Sequence, residues 1–281
     1  MLGANAPAAE ARSRIGVVWL SGGGCEGCTM SVLGATSPRL EELLAGALSQ
    51  TQQIELVHPV LALEAGEAYL ARLQAAAAGE LDPFIFVLEG SLFDESRAGQ
   101  GWFSRIGHSA GRALSASDWV ALLAPRAAAV VAVGTCAAWG GVPAASGNVT
   151  GAHSLEEALG SGFRSTQDLP VIKLPGCAPL GDTVVEALAY LLLHMEGTVP
   201  LELDELGRPR WLYRSRVQVV PAHANWVERG QTAAEADCDV PSRGWINRIG
   251  GCAAVGGACN GCTMPNFPDA FVRLASPRLV R

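Results

Sequence analysis

Ile15-Gly-Val-Val-Trp-Leu20 runs directly into Ser21-Gly-Gly-Gly24 and then Cys25-Glu-Gly-Cys28. A short, almost wholly apolar run that ends in a glycine loop has the form of a parallel strand buried on both faces, because helical crossovers cover both sides of such sheets. The same form recurs downstream. Ile54–Val57 reads as a second strand, and Phe84–Leu88, Ala129–Val133 and Val171–Leu174 as three more, followed in turn by Glu-Gly, Gly-Thr and Pro-Gly. Helices are expected across Pro38–Leu44, with Ser37 as N-cap and Pro38 in the first turn, and across Glu67–Ala78, which is rich in Ala and Leu. Two more are expected at 118–124 and 181–194. Strands alternating with helices predict an α/β fold around a parallel sheet.

The composition narrows the function classes. With 281 residues, 49% of them hydrophobic and 17% charged, the chain has material for about two domains and is not a disordered protein. A net charge of −7 argues against a nucleic-acid partner, since such binding rests on neutralising phosphates with Lys and Arg. Lys173 is the only lysine, which reads as composition bias. No apolar run reaches the roughly 18 residues of a membrane span; the best, Val184–Met195, is interrupted by Glu186 and His194. Residues 1–14 are expected to be a flexible N-terminus. No apolar signal core precedes Ile15, and Ser13 separates Arg12 from Arg14, so the expected location is the cytoplasm, with membrane association only through a partner. Disulfides are disfavoured there, so the eight cysteines are buried thiols, catalytic groups or metal ligands.

Ligands of open parallel sheets bind beyond the carboxyl ends of the strands, where the loops converge. Cys25 and Cys28 follow the first predicted strand, Glu89 the third, Cys136 the fourth and Cys177 the fifth. Four cysteines and a carboxylate are therefore expected at one edge, whereas ordinary buried thiols would be scattered over strand interiors and helix faces. From about residue 197 the texture changes: Pro, Gly and Arg become frequent and periodicity is lost. This region, 197–281, holds the second set, Cys238, Cys252, Cys259 and Cys262, of which Cys252 and Cys259 lie within a glycine-rich stretch from Gly250 to Gly261. Its C-x-x-C spacing lets two thiolates face one metal. Two groups of four thiolates suit iron–sulfur clusters or tetrahedral zinc. For the first set, drawn from three separate loops, iron–sulfur is favoured over zinc, which usually takes two local knuckles; for the second set both stay open.

Four ordered motifs carry a resemblance: Gly24-Cys-Glu-Gly-Cys28, Glu89-Gly-Ser91, Gly134-Thr-Cys-Ala-Ala-Trp-Gly-Gly141 and Leu174-Pro-Gly-Cys177. Together they resemble the small, electron-transferring subunit of nickel–iron hydrogenases, and the likeness runs from Ile15 to the end. It implies a flavodoxin-like domain over 15–196 whose crevice holds a proximal [4Fe–4S] cluster on Cys25, Cys28, Cys136 and Cys177. Glu89 matches an acidic residue near that site; its other reading is a carboxylate capping the loop amides around Gly90 and Ser91. Glu26 reads as a solvated loop charge or a tuning charge beside the cluster, the first being favoured.

Cys238-Asp-Val-Pro-Ser-Arg-Gly-Trp245, Gly250-Gly-Cys252 and Cys259-Asn-Gly-Cys-Thr-Met-Pro-Asn-Phe-Pro-Asp269 resemble the C-terminal cluster domain of the actinobacterial-type uptake group. Cys238, Cys252, Cys259 and Cys262 would hold a medial [4Fe–4S] cluster there. The chain departs from the family at the distal cluster, which relatives bind through an H-x-x-C pattern. His223-Ala-Asn-Trp226 has Trp in place of that Cys, and no spare cysteine remains. Two clusters are therefore expected, with His223 a remnant, a core histidine or an acceptor-docking residue. The resemblance implies that the nickel–iron centre lies on a large-subunit partner, that an unidentified acceptor takes the electrons of H2 oxidation, and that heterodimers could pair. The large subunit itself is rejected as a reading, because no histidine follows Cys262. The related subunit of respiratory quinone reductases shares the sheet but lacks this tail. Two rival functions fit the same cysteines: an H2-sensing regulatory complex and a zinc-stapled binding module.

Overall fold

A computed structural model describes residues 13–49, 51–61, 66–109, 111–213, 238, 244, 249–251, 261–265 and 267–269. Its centre is a five-stranded, wholly parallel sheet of β1 (Ser13–Ser21), β2 (Gln52–Val57), β3 (Phe84–Glu89), β6 (Ala129–Val133) and β7 (Ile172–Leu174), in the spatial order β2-β1-β3-β6-β7. The intervening β4 (Arg105–Ser109) and β5 (Arg112–Ser115) form a separate antiparallel hairpin. Renumbered within the sheet the order is 2-1-3-4-5, the flavodoxin-like arrangement, whose switch point lies between the first and third strands.

Alternation along each strand sorts the core into two layers. Val18, Leu20, Phe84, Phe86, Leu88, Val130 and Ala132 face α3 (Glu67–Ala78), α4 (Ala116–Leu123), α5 (Gly134–Trp139) and α6 (Leu155–Leu159). Ile15, Val17, Trp19, Ile85, Val87 and Val131 face α1 (Gly27–Leu33), α2 (Leu40–Leu44) and α7 (Gly181–Met195). Burial on both faces explains why the strands read as continuous apolar runs rather than alternating ones.

All five predicted strands are present. The helix at 67–78 has the expected bounds, and those at 118–124 and 181–194 shift by one or two residues. The helix expected from Pro38 begins at Leu40 instead. Arg39 is its N-cap, and the Glu42 carboxylate accepts the Arg39 backbone N–H at 2.9 Å, so Ser37 and Pro38 lie in the bend before it. Three helices, α1, α5 and α6, went unexpected, as did the β4–β5 hairpin. α1 and α5 are each under two turns long, too short to show a helical period, and they carry Cys28 and Cys136.

The chain beyond α7 keeps packing on the sheet. Leu212 and Tyr213 are buried in the α7 layer, the Tyr213 hydroxyl donates to the Pro175 carbonyl at 3.0 Å, and the Trp211 indole donates to Glu186 at 3.0 Å. Among the described residues no helix is long and apolar enough to cross a membrane.

Candidate metal centre

The loops after β1, β3, β6 and β7 meet at the carboxyl edge of the sheet. Pairing of Ser21 with Glu89 brings the first two side by side, and the loops are then zipped by Gly22 N–H to Glu89 O at 2.7 Å and by Gly23 with Ser91 in both directions. Cys25 lies in the first loop, Cys28 in the first turn of α1, Cys136 in the first turn of α5, and Cys177 just beyond β7. All four are free thiols; Cys25 and Cys177 are exposed, Cys28 and Cys136 half-buried.

The four thiols form one electrostatic group. Cys28 feels Cys136 and Cys25, Cys136 feels Cys177 and Cys25, and Cys177 feels Cys25. Burial, first of all, pushes the pKa values of Cys28, Cys136 and Cys177 upward, and repulsion among the thiols adds to it, after that of Glu89 in the case of Cys28. Ser91 and the Val142 N–H act in the opposite sense at Cys136, and the Ser91 hydroxyl itself donates to the Gly140 carbonyl at 2.7 Å. Thiols gathered with their pKa values pushed up suit a cationic centre, because metal binding is what removes their protons.

The backbone around the sulfurs is close-fitting. Gly134, at φ 85°, has room only for hydrogen, since a Cβ there would stand 2.4 Å from the Cys28 sulfur. Gly141, at φ 56°, would place a Cβ 2.7 Å from the Cys136 sulfur. Among the described residues no group of three or more His, Cys, Asp or Glu is gathered to hold a single metal ion. The four thiols line a cup rather than clasp a point, and an all-sulfur donor set on a glycine-lined floor fits a polynuclear iron–sulfur cluster.

Beneath the cup lies a buried polar chain. Glu89, 2% exposed, accepts the Cys28 N–H at 3.0 Å, the Thr29 N–H at 3.1 and 3.2 Å, the Thr29 hydroxyl at 2.5 Å and the Trp19 indole N–H at 3.2 Å. It therefore caps amides, as one reading expected, but those of Cys28 and Thr29 rather than of Gly90 and Ser91, because the first loop folds back over the end of β3. His58, fully buried, accepts the Val60 and Leu61 N–H groups on Nδ1 at 3.0 and 3.1 Å. That assigns the hydrogen to Nε2, which donates to the Thr29 hydroxyl at 3.1 Å. Burial pushes the His58 pKa down to about 4. Every proton in the chain thus points toward Glu89. No local pattern in the sequence marks His58, Thr29 or Trp19 for this role; only the sheet brings them together.

Glu26 differs from its favoured reading as a solvated charge. It is half-buried at φ 58°, accepts from the Ser21 hydroxyl at 3.2 Å, and has its pKa raised by burial and then by Glu89.

Of the second cysteine set, Cys238 and Cys262 are half-buried, while Cys252, Cys259, His223 and Trp226 lie outside the described residues. The segment around Cys262 sits on α5. The Thr135 hydroxyl donates to the Cys262 carbonyl, the Trp139 indole to the Thr263 carbonyl at 3.2 Å, and Ser146 N–H to Asp269 at 2.8 Å. The rim of the cup is apolar: Met30 (61% exposed) and Leu33 (51%) on α1, and Val142 after α5.

A family model for the 20 kDa subunit of NADH ubiquinone oxidoreductase matches residues 25–191 and stops before the tail. Likeness to hydrogenases continues through it. The periplasmic [NiFeSe] hydrogenase small subunit of Desulfomicrobium baculatum is 31% identical over 92% of this chain and 86% of its own length. This chain belongs to the nickel–iron hydrogenase small subunits. Solved hydrogenases agree. The actinobacterial-type NiFe-hydrogenase of Ralstonia eutropha H16 superposes with a TM-score of 0.84 at 38% identity, covering 93% of the hydrogenase small subunit described here and 81% of that chain. The [NiFeSe] hydrogenase of Desulfovibrio vulgaris Hildenborough gives 0.74 at 30% identity, over 94% and 97%. Residues 25–191 contain the four cysteines of the cup and strands β2, β3, β6 and β7, but neither β1 nor Cys238 or Cys262.

Proposed function

We propose that this hydrogenase small subunit relays electrons between the nickel–iron site of a large-subunit partner and an external acceptor, in the direction of H2 oxidation, through two [4Fe–4S] clusters. The observation that carries the reading is the convergence of Cys25, Cys28, Cys136 and Cys177, from the ends of three strands, into one electrostatically coupled, glycine-floored cup. Cys238, Cys252, Cys259 and Cys262 are the ligands of the second cluster, in the region from 197 onward. Bound there, the clusters supply one-electron redox chemistry. The protein's own residues set its terms. Val142 and Ser91 are polar neighbours of the Cys136 ligand, the Glu89 carboxylate accepts the Cys28 N–H, and polar groups so placed are a recognised lever on cluster potential.

The apolar rim of Met30, Leu33 and Val142 beside the cup supports docking of the large subunit at that face. A missing H-x-x-C pattern supports exit from the second cluster directly to the acceptor. The proposal extends to a cytoplasmic location, which subcellular fractionation tests. The experiment for the main reading is iron analysis and H2-dependent dye reduction by the anaerobically purified complex. About eight irons per small subunit are expected from two cubanes. A colourless chain with zinc and no iron overturns the reading, and about twelve irons would mean a third cluster.

A further inference from the structure

We infer that Thr135 is the bridge through which the two cluster sites are electronically joined, an inference that rests on the two-cluster reading above. Thr135 is 1% exposed and precedes Cys136 in the chain. Its N–H donates to the Gly176 carbonyl at 3.0 Å, and the Gly176 N–H donates back to its hydroxyl oxygen at 2.9 Å. With that lone pair occupied, the hydroxyl hydrogen points away from the cup, and the Cys262 carbonyl receives it.

One hydroxyl therefore gathers the routes from two ligands of the first site, Cys136 by covalent bonds and Cys177 through its neighbour Gly176, and delivers them to the backbone of a ligand of the second. From Cys136 to Cys262 the route crosses a single hydrogen bond and is otherwise covalent. Electronic coupling decays gently along bonds and steeply across non-bonded gaps, so such a route outweighs any that must jump open space. Burial also excludes water, which would compete for the Thr135 hydrogen. Two further contacts, from Trp139 on α5 to Thr263 and from Ser146 beyond it to Asp269, seat the same segment but reach its ligands only by longer covalent detours. In the step itself one electron leaves the first cluster, which is oxidised, and reduces the second. No bond forms or breaks, and the Thr135 proton stays on its oxygen.

The test is the rate of electron equilibration between the clusters in the intact heterodimer, followed by rapid-freeze EPR after a sub-stoichiometric pulse of reductant. Thr135→Val, which removes the hydroxyl, is expected to slow equilibration several-fold with iron content unchanged, and Thr135→Ser to restore it. Trp139→Phe, which loosens the same segment but spares the bridge, is expected to leave the rate at the wild-type value. A wild-type rate in Thr135→Val with both clusters present overturns the bridge, as does equal slowing in Trp139→Phe. Should Thr135→Val lose its second cluster, slow equilibration in an iron-replete Thr135→Ser overturns it. Wild-type protein without two clusters refutes the two-cluster reading instead, so the two failures are told apart by the iron count.

Discussion

Cys25, Cys28, Cys136 and Cys177 each leave a strand of one sheet by a short loop, whereas the segment around Cys262 takes its place from hydrogen bonds to α5. The first set inherits the rigidity of strands buried on both faces; the second is only as well placed as its few contacts with the first. Dependence between the sites should therefore run one way. Damage at the sheet edge reaches the tail through α5, while damage in the tail leaves the sheet edge intact.

The strongest test of this asymmetry is Cys136→Ser. It is expected to remove the first cluster, about four irons per chain, and to bring H2-dependent dye reduction to background, as measured by iron analysis and steady-state assay. Dye reduction that persists with the first site empty would break the proposed order of the relay. Cys259→Ser should remove or convert the second cluster alone, with the first keeping its EPR spectrum; loss of all iron would show that the sheet edge leans on the tail.

A pH experiment probes the support beneath the cup. The folded-state pKa of His58, about 4, lies below its unfolded value of 6.5. The unfolded chain thus binds more protons between these values, and stability that is complete above about pH 6.5 is lost as the pH falls toward 4. The full shift corresponds to about 3 kcal/mol. Comparing urea midpoints of wild type and His58→Gln across that window should show the slope in wild type alone.

Smaller still, Glu89→Gln turns an acceptor-only group into one with an N–H2 end facing buried donors, and should cost about 2 kcal/mol. It should also raise the first cluster's midpoint potential and leave the second's unchanged, as read by EPR-monitored titration. Least of all, Trp139→Phe removes one indole hydrogen bond and should weaken seating of the tail by about 1 kcal/mol, seen as faster hydrogen exchange around Thr263 without change at the cup.

Much of the fold was legible because apolar runs and glycine loops are local features. Phe84–Glu89 and Ala129–Val133 announce themselves as strands whatever surrounds them. The bounds of α2 were less legible, since the Glu42 cap onto Arg39 competes with the Ser37-Pro38 signal and prevails. α1 and α5 were not legible at all: neither is long enough to show a period, and Glu26 and Gly134 enter them with positive φ set by the packing of the cup. The four cysteines of the cup could be assigned to one edge from strand order alone. The polar chain from His58 through Thr29 to Glu89 could not, because its members come from three elements with no shared motif.

The sequence by itself determined the parallel sheet, the clustering of four thiols at its carboxyl edge and membership of a family, because these follow from hydrophobic runs and from spacing along the chain. Only the tertiary structure decided which amides Glu89 caps, which His58 tautomer is held beneath the cup, and that Thr135 joins one cysteine set to the other. Those are hydrogen bonds between residues distant in sequence, and their partners are chosen by the packing of the sheet and its helices.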